Sequence, residues 1–298
     1  MSEHKTIGVD LGGTNLRAGI VSSSVHILYE KSIRTEAEKG ADYVIDNMAR
    51  LIQEIKGGNS ITSVGIGSPG PLDPHKGLIL SPPNLPGWDR IPLIERLRKS
   101  IDLPVFLDND ANAAALAESR FGAGKGYSSV YYITVSTGIG GGYVLNNKIV
   151  QGAHGYAGEI GNMIIQPNGP SWSNLNAGSL EALASGTAIG RKGKARLAIE
   201  GGAEEVFSLA KEGNQEAQQI VEETVTYLAM GIANIAHITD PSIFVLGGGV
   251  MQAKDQILVP LRDRIKDFLY PEMEETINIQ PASLGTKAGL IGAALLKG

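Results

Sequence analysis

The sequence predicts a mixed α/β protein built on a duplicated unit. Two observations carry this. Residues 6–20 form an apolar, β-branched run that breaks at Gly12-Gly13 and resumes with alternating Leu16, Ala18 and Ile20. This is the signature of a strand, a tight glycine turn and a returning strand. Residues 130–145 repeat the plan, with the hydroxyl-bearing turn Ser136-Thr137-Gly138 between two apolar runs. Segments of helical period and short strands fill the rest of the chain.

Taken in order, residues 25–33 continue the first hairpin as a third strand. Residues 40–56 place Tyr43, Ile45, Met48, Leu51, Ile52 and Ile55 on one helical face, and Gly57-Gly58-Asn59 ends that helix. A strand at 61–66 runs into Gly67-Ser68-Pro69-Gly70-Pro71, which is either a simple turn or the wall of a ligand site. A non-periodic stretch follows, containing Ser81-Pro82-Pro83-Asn84-Leu85-Pro86-Gly87-Trp88; Trp88 reads as a lid anchor or as plain core. A helix over 92–100 and a strand over 104–107 lead to Asp108-Asn109-Asp110 and an alanine-rich helix over 111–120, capped by Gly122. Beyond the second hairpin lie a glycine-rich stretch, 151–163, a polar loop, 167–178, and a helix over 179–186. Helices are expected over 203–211, 214–237 and 254–269. A strand at 243–250 ends in Gly247-Gly248-Gly249, and a last strand at 277–279 leads to a helix over 287–296. The small residues on one face of that last helix predict close packing on a neighbour. No linker separates the halves; the expected lobes are 1–108 with the C-terminal helix 287–298, and 109–286.

The glycine turns carry the chemistry. Glycines let backbone approach a bulky anion, and their N–H groups can cradle it. In the first turn, Gly12 and Gly13 are preceded by Asp10, placed to hold a hydrated Mg²⁺, and followed by the donors Thr14 and Asn15. An ordinary Gly-Gly hairpin would read the same over this stretch alone. The second turn, with Thr137, Gly138, Gly140 and Gly141, makes a second phosphate-facing element, and Gly248 and Gly249 can let a flat ring lie on bare backbone. Together they point to ATP with Mg²⁺.

Asp108-Asn109-Asp110 lies at the carboxyl end of a strand and opens a helix, where α/β sheets hold ligands. N-capping would account for only one of the three. Asp110 with Asn84, Asn109, Glu159, Asn162 and Glu181 suggests a hydroxyl-rich acceptor, since each sugar hydroxyl needs partners whose loss costs about 1–3 kcal/mol. Asp110 would accept the proton of the attacking hydroxyl. Its place at a helix N-terminus favours the charged form, which phosphoryl transfer tolerates because proton removal comes late in a loose transition state. Glu181 in a first helical turn is equally explained by the helix dipole, and His154 by a structural role.

Composition sets bounds. The 298 residues are 42% hydrophobic, enough for a sizeable core, and the net charge of −5 argues against a nucleic-acid surface. The basic cluster at 191–196 reads as a solvated helix face. With no cysteine, disulfides, thiolate metal sites and a cysteine nucleophile are excluded. The charged N-terminus lacks a signal-peptide core and no run approaches ~18 apolar residues, so a cytoplasmic protein without membrane partners is expected.

On these residues the chain resembles the ROK family (repressors, open reading frames and sugar kinases) of the actin/hexokinase/Hsp70 superfamily. Asp10-Leu11-Gly12-Gly13-Thr14 is similar to its first phosphate motif, Thr134–Gly142 to its second and Leu246-Gly247-Gly248-Gly249 to its adenosine motif. Asn84-Leu85-Pro86-Gly87-Trp88, Asp108–Ala114 and Ala157-Gly158-Glu159-Ile160-Gly161 resemble its sugar-side motifs. The resemblance implies a two-lobed ribonuclease-H-like fold of the actin/hexokinase type with a cleft between the lobes, a homodimer, and ATP-dependent phosphorylation of a hexose or N-acetylhexosamine. It also implies that Asp110 is the catalytic base and that Gly70, Asn84, Asn109, Glu159 and Glu181 line the sugar. Many members carry a histidine after Gly-Glu-Ile-Gly and a cysteine-rich run that bind a structural Zn²⁺. Here those positions hold Asn162 and Pro170–Ser179, so no structural zinc is expected; Asn162 is left to bond a sugar hydroxyl and Trp172 to brace the loop.

Glucose is the first expectation, because Asn84–Trp88 resembles glucokinase-like members; N-acetylmannosamine, fructose or another hexose are the alternatives. A sugar-sensing repressor would carry a helix-turn-helix ahead of the first phosphate motif, and only nine residues precede Asp10. A catalytically weak sugar-binding relative is the remaining non-enzyme alternative; it is opposed by Asp10, Gly12, Gly13, Thr14, Thr137 and Asp110.

Overall fold

The computed structural model describes residues 4–82 and 84–297. The expectations at Met1–Glu3, Pro83 and Gly298 therefore lie outside the described residues. The chain begins with β1 (Lys5–Leu11), β2 (Asn15–Ser22), β3 (Ile27–Arg34), α1 (Ala41–Lys56) and β4 (Ile61–Ser68). The short strands β5 (Leu72–Asp73) and β6 (Leu78–Ile79) precede α2 (Leu93–Arg98), β7 (Val105–Asn109) and α3 (Asp110–Phe121). Then come β8 (Ser129–Val135), β9 (Ile139–Leu145), β10 (Lys148–Ile149), α4 (Leu180–Ala184), α5 (Gly186–Leu197), α6 (Gly202–Lys211) and α7 (Gln215–Thr239). The chain ends with β11 (Ile243–Gly247), α8 (Lys254–Arg264), α9 (Pro271–Glu274), β12 (Ile279–Pro281) and α10 (Ala288–Ala294).

The duplication is visible in the sheets. One runs β3-β2-β1-β4-β7 and the other β10-β9-β8-β11-β12, so each hairpin-led set of strands is extended by two parallel partners in the same order. By its contacts the chain forms two units, Met1–Lys125 with Gly142–Ala157 and Thr286–Gly298, and Gly126–Gly141 with Gly158–Gly285. This division differs from the expected boundary at 108. It keeps α3 with the first sheet, and a side chain at Gly142 would meet Ala111 and Ala115, which is why the segment after it joins the same unit.

In the first unit, α1 buries Val44, Ile45, Met48, Leu51, Ile52 and Ile55 against Ile7, Val9, Leu16 and Ala18 of the hairpin. Alternation in the strands and a 3.6-residue period in the helix meet in one core. Trp88, 2% exposed, belongs to that core, and its indole N–H has no partner among the described residues. The small face of α10 packs as the sequence predicts. A Cβ at Gly8 or Gly65 would overlap the carbonyl oxygens of Leu290 and Ala293, and one at Gly292 would overlap the carbonyl of Ala113. The last helix thus lies backbone to backbone on β1, β4 and α3.

In the second unit, the 25-residue α7 buries Ile220, Val221, Val225, Leu228, Ile232 and Ile235, while Gly231 leaves room for Leu180 of α4. Several elements depart from expectation. Val25 has φ 66° in a turn, so the third strand starts at Ile27. The helix expected over 179–186 stops at Ala184, because Ser185 is extended and caps α5 through its hydroxyl. The strand expected to 250 ends at Gly247, since Gly248 turns the chain at φ 93°.

Candidate active site

In the first unit, parallel pairing sets the site. Asp10 is in register with Gly67, and Gly67 with Asp108, so the carboxyl ends of β1, β4 and β7 form one row from which Asp110 follows at the start of α3. Gly67 lies next to the start of α3: a Cβ built on it would stand 3.6 Å from Cα of Asp110, in ordinary contact. The first glycine turn is pinned by its own backbone: Gly12 N–H donates to Asn15 O at 2.9 Å, while Thr35 donates its hydroxyl to Gly12 O at 2.6 Å and its N–H to Thr14 O. Any side chain at Gly13 would lie 2.6 Å from the carbonyl of Asn84, so Asn84 flanks the turn, and Thr14 and Asn15 are exposed beside it. Gly70 lies in the loop after β4, joined to Pro71 by a cis peptide bond.

Asp10 accepts from Arg17 Nη2 at 3.1 Å, and Arg17 also donates to Thr286 O. Arg17 faces Asp10 across the hairpin register, a pairing that the β1–β2 pattern carries in the sequence. A half-buried carboxylate beside a glycine turn fits Mg²⁺, which keeps most of its waters and binds through one or two carboxylates plus phosphate oxygens.

The tripeptide divides its work. Asn109 is the N-cap, its side-chain oxygen accepting from Ala111 N at 2.8 Å and more weakly from Asn112 N. Asp108 is 1% exposed and accepts from Asn109 N (2.7 Å), Asn112 Nδ2 (2.8 Å) and Gln151 Nε2 (2.6 Å). Burial raises its pKa above the ordinary 3.8, and the three donors offset part of that shift. Asp110, half-buried, accepts from Ala111 N at 2.7 Å. Gln151 and Thr35 were invisible to the sequence reading, since nothing local marks a partner dozens of residues away.

The second unit holds the other residues. The turn between β8 and β9 closes with Ser136 N–H donating to Gly138 O at 2.8 Å. Gly186 N–H donates to Ser136 O and Thr187 N–H to Thr137 O, at 2.7 and 3.3 Å. Glu181 Oε2 accepts from Ile139 N at 2.7 Å. Gly141 faces Gly158 O and Ile160, and Gly161 faces Ile139 O, so the strand holding Gly140 and Gly141 lies against the 158–161 segment. Gly248 lies directly on Val135, and Gly249 beside Ser136. The structure thus brings Thr137, Gly138, Gly141, Gly248, Gly249, Glu159 and Glu181 into one neighbourhood. Burial raises the pKa of Glu159, with the charge of Glu181 adding to it; burial also raises that of Glu181, opposed by the Ile139 N–H.

Asn162 is turned to the loop. Its Oδ1 accepts from Asn176 N at 2.7 Å, and its carbonyl accepts from Asn176 Nδ2 at 3.2 Å. Trp172 stacks on Arg191, whose guanidinium carbon is 4.6 Å from the ring centroid and whose Nη2 donates to Ala182 O. Amides, hydroxyls and an aromatic ring are not a donor set for Zn²⁺, so these residues do not fit that metal.

The sequence pattern of the ROK family matches residues 6–297. The chain belongs to the ROK family. Among curated relatives, a glucokinase of Thermotoga maritima is 37% identical over 308 residues, covering 99% of this chain and 97% of its own length. An N-acetylmannosamine kinase of Salmonella typhi is 33% identical, covering 98% and 97%. Among solved structures, a ROK hexokinase from Thermus thermophilus superposes with a TM-score of 0.85 at 36% identity, covering 98% of this chain and 97% of that one. A ROK family glucokinase from Streptomyces griseus, solved with glucose and AMPPNP, gives 0.83 at 33%, covering 97% and 98%. The fold is therefore the two-sheet α/β fold of ROK hexokinases, as the resemblance implied.

Proposed function

We propose that this protein is an ATP-dependent sugar kinase whose acceptor is glucose, converted to glucose 6-phosphate. The observation that carries the reading is the row at the strand ends: Asp10 beside the first glycine turn and Asp110 following β7, two strands along across Gly67 of β4, with Asn84 against Gly13 and Asn109 capping α3. An acid for Mg²⁺, an anion cradle and an acid for a hydroxyl lie along one edge of a single sheet, at the ends of β1 and β7.

Asp110 aims the sugar hydroxyl and accepts its proton as the oxygen bonds to the γ-phosphorus and the bond to the β-phosphate oxygen breaks, releasing ADP. N–H groups of the glycine turns at Gly12-Gly13 and Gly138 take up the charge on the phosphoryl oxygens. Asp10 would hold Mg²⁺, which would supply neutralisation of the phosphate charge. Thr14, Asn15 and Thr137 add hydroxyl and amide contacts to phosphate, and Gly248 and Gly249 shelve the adenosine. Asn84, Asn109, Glu159 and Glu181 line the sugar, with Gly70 in the wall. Asn162, its side-chain oxygen spent on Asn176, contributes by holding the loop and through its amide N–H. We place the kinase in the cytoplasm as a homodimer; among the described residues no helix is long and apolar enough to cross a membrane.

The glucokinase relatives and the glucose complex of the Streptomyces griseus structure favour glucose, and the N-acetylmannosamine kinases keep that sugar as the second reading. A coupled ADP-release assay with Mg-ATP over hexoses, N-acetylhexosamines and cellobiose tests both. Glucose is expected to give the highest kcat/KM. A higher value for N-acetylmannosamine overturns the glucose assignment, and no turnover with any sugar overturns the kinase reading.

A further inference from the structure

We infer that Glu181 is a positioning residue of the second phosphate turn, so that one carboxylate ties the sugar side of the site to nucleotide binding. This rests on the kinase reading and deepens it. The resemblance assigns Glu181 only to the sugar. In the structure one of its oxygens, Oε2, is taken by the N–H of Ile139 at 2.7 Å, the first residue after the turn Ser136-Thr137-Gly138. Among the described residues Oε1 accepts no hydrogen bond, which leaves it for a hydroxyl.

Three features make the contact a built one. First, space is cleared for the carboxylate: a Cβ at Gly138 would lie 2.5 Å from Oε2, and one at Gly161 3.1 Å from the same atom. Second, the segment that carries Glu181 fastens the turn twice more, through Gly186 N to Ser136 O and Thr187 N to Thr137 O. Residues 181–187 thus hold turn residues 136, 137 and 139, and Glu181 supplies the single side-chain contact of the three. Third, the same carboxylate faces the 159–162 segment, where Glu159 is near enough to feel its charge and Asn162 clasps Asn176. The Ile139 N–H and a sugar hydroxyl then share one carboxylate. A hydroxyl on Oε1 orders the side chain that orders the turn, and by linkage the turn's ligand favours the sugar by the same factor.

The test is binding of Mg-AMPPNP by calorimetry, with and without saturating sugar, to wild type, Glu181→Ala, Glu181→Gln and Gly138→Ala. The wild type is expected to bind the nucleotide more tightly with sugar present, by a factor within roughly 5–150. Glu181→Ala is expected to bind it about tenfold more weakly even without sugar and to lose the coupling, since the Ile139 N–H has lost its charge-assisted acceptor. Glu181→Gln, whose carbonyl can still accept that N–H, restores most of the sugar-free affinity. Gly138→Ala keeps Glu181 but fills its space, and weakens sugar-free binding as Glu181→Ala does. Wild-type sugar-free affinity and intact coupling in Glu181→Ala, whatever Gly138→Ala does, overturn the inference while leaving the kinase reading standing. Failure of the wild type to bind the nucleotide at all overturns both.

Discussion

Truncating Asp108 separates the support of the proposed base, Asp110, from the base itself. Asp108→Ala removes a fully buried carboxylate that accepts three N–H groups: Asn109 N, Asn112 Nδ2 and Gln151 Nε2. Each buried donor left without an acceptor costs about 1–3 kcal/mol, while relief of the buried charge returns part of that sum. The net expectation is a loss of about 3 kcal/mol, read as a lower urea midpoint at unchanged m-value. The first turn of α3 carries Asn109 and Asp110, so the same variant misplaces the acid, and a shift on the order of 1 Å costs about 100-fold in kcat. KM for Mg-ATP is expected to hold. Asp108→Asn behaves differently. Its carbonyl keeps Asn109 N and Asn112 Nδ2, and Gln151 can rotate its amide to accept from the new NH₂. Stability is then expected within about 1 kcal/mol of wild type and kcat within about tenfold. Equal kcat losses in the two variants would mean that the charge, and not the orientation of α3, is what Asp108 supplies, and would refute the reasoning.

Other outcomes follow from the same geometry. Asp108 has its pKa raised in the folded state, so its favourable contribution is complete below the ordinary carboxylate value of 3.8 and is lost as pH rises through the raised one. The stability of wild type relative to Asp108→Asn, measured by urea titration at several pH values, should therefore fall from pH 3 towards neutrality; a rise would contradict the assignment. Asp110→Asn should lower kcat by about 10³-fold or more with sugar binding intact, checked by stopped assay and calorimetry. Gly292→Ala should cost about 3 kcal/mol or more and lower Tm, because the new methyl meets the backbone carbonyl of Ala113, which has no rotamer to yield. A zinc-selective chelator should leave kcat unchanged while removal of Mg²⁺ by EDTA abolishes turnover, restored by Mg²⁺ alone.

What the sequence disclosed and what it withheld divide along a physical line. Asp10 with Gly12-Gly13, Asp108-Asn109-Asp110 and the long faces of α1 and α7 were legible because each is a local pattern, a turn chemistry or a period, that backbone geometry forces on contiguous residues. The duplication was legible as two hairpins of one design, and the paired sheet orders carry it further. Hidden from view were Thr35 on the first turn, Gln151 on Asp108 and Ile139 on Glu181, partners 23, 43 and 42 residues apart. Such pairs are set by how elements pack, and no periodicity encodes them. The two-residue strands β5, β6 and β10 are too short to alternate. The break at Ser185 was missed because an N-cap serine between two helices looks like any helical serine until its hydroxyl is seen to accept from Ala188 N.

The central claim, transfer of the γ-phosphoryl group of ATP to a sugar hydroxyl with Asp110 as the base, is tested most directly by ³¹P NMR of the enzyme with Mg-ATP and glucose. The account predicts loss of the γ-phosphate resonance in step with growth of a phosphomonoester coupled to the two protons at carbon 6, and neither change with Asp110→Asn. Inorganic phosphate as the only new resonance, or an unchanged rate in Asp110→Asn, would contradict it.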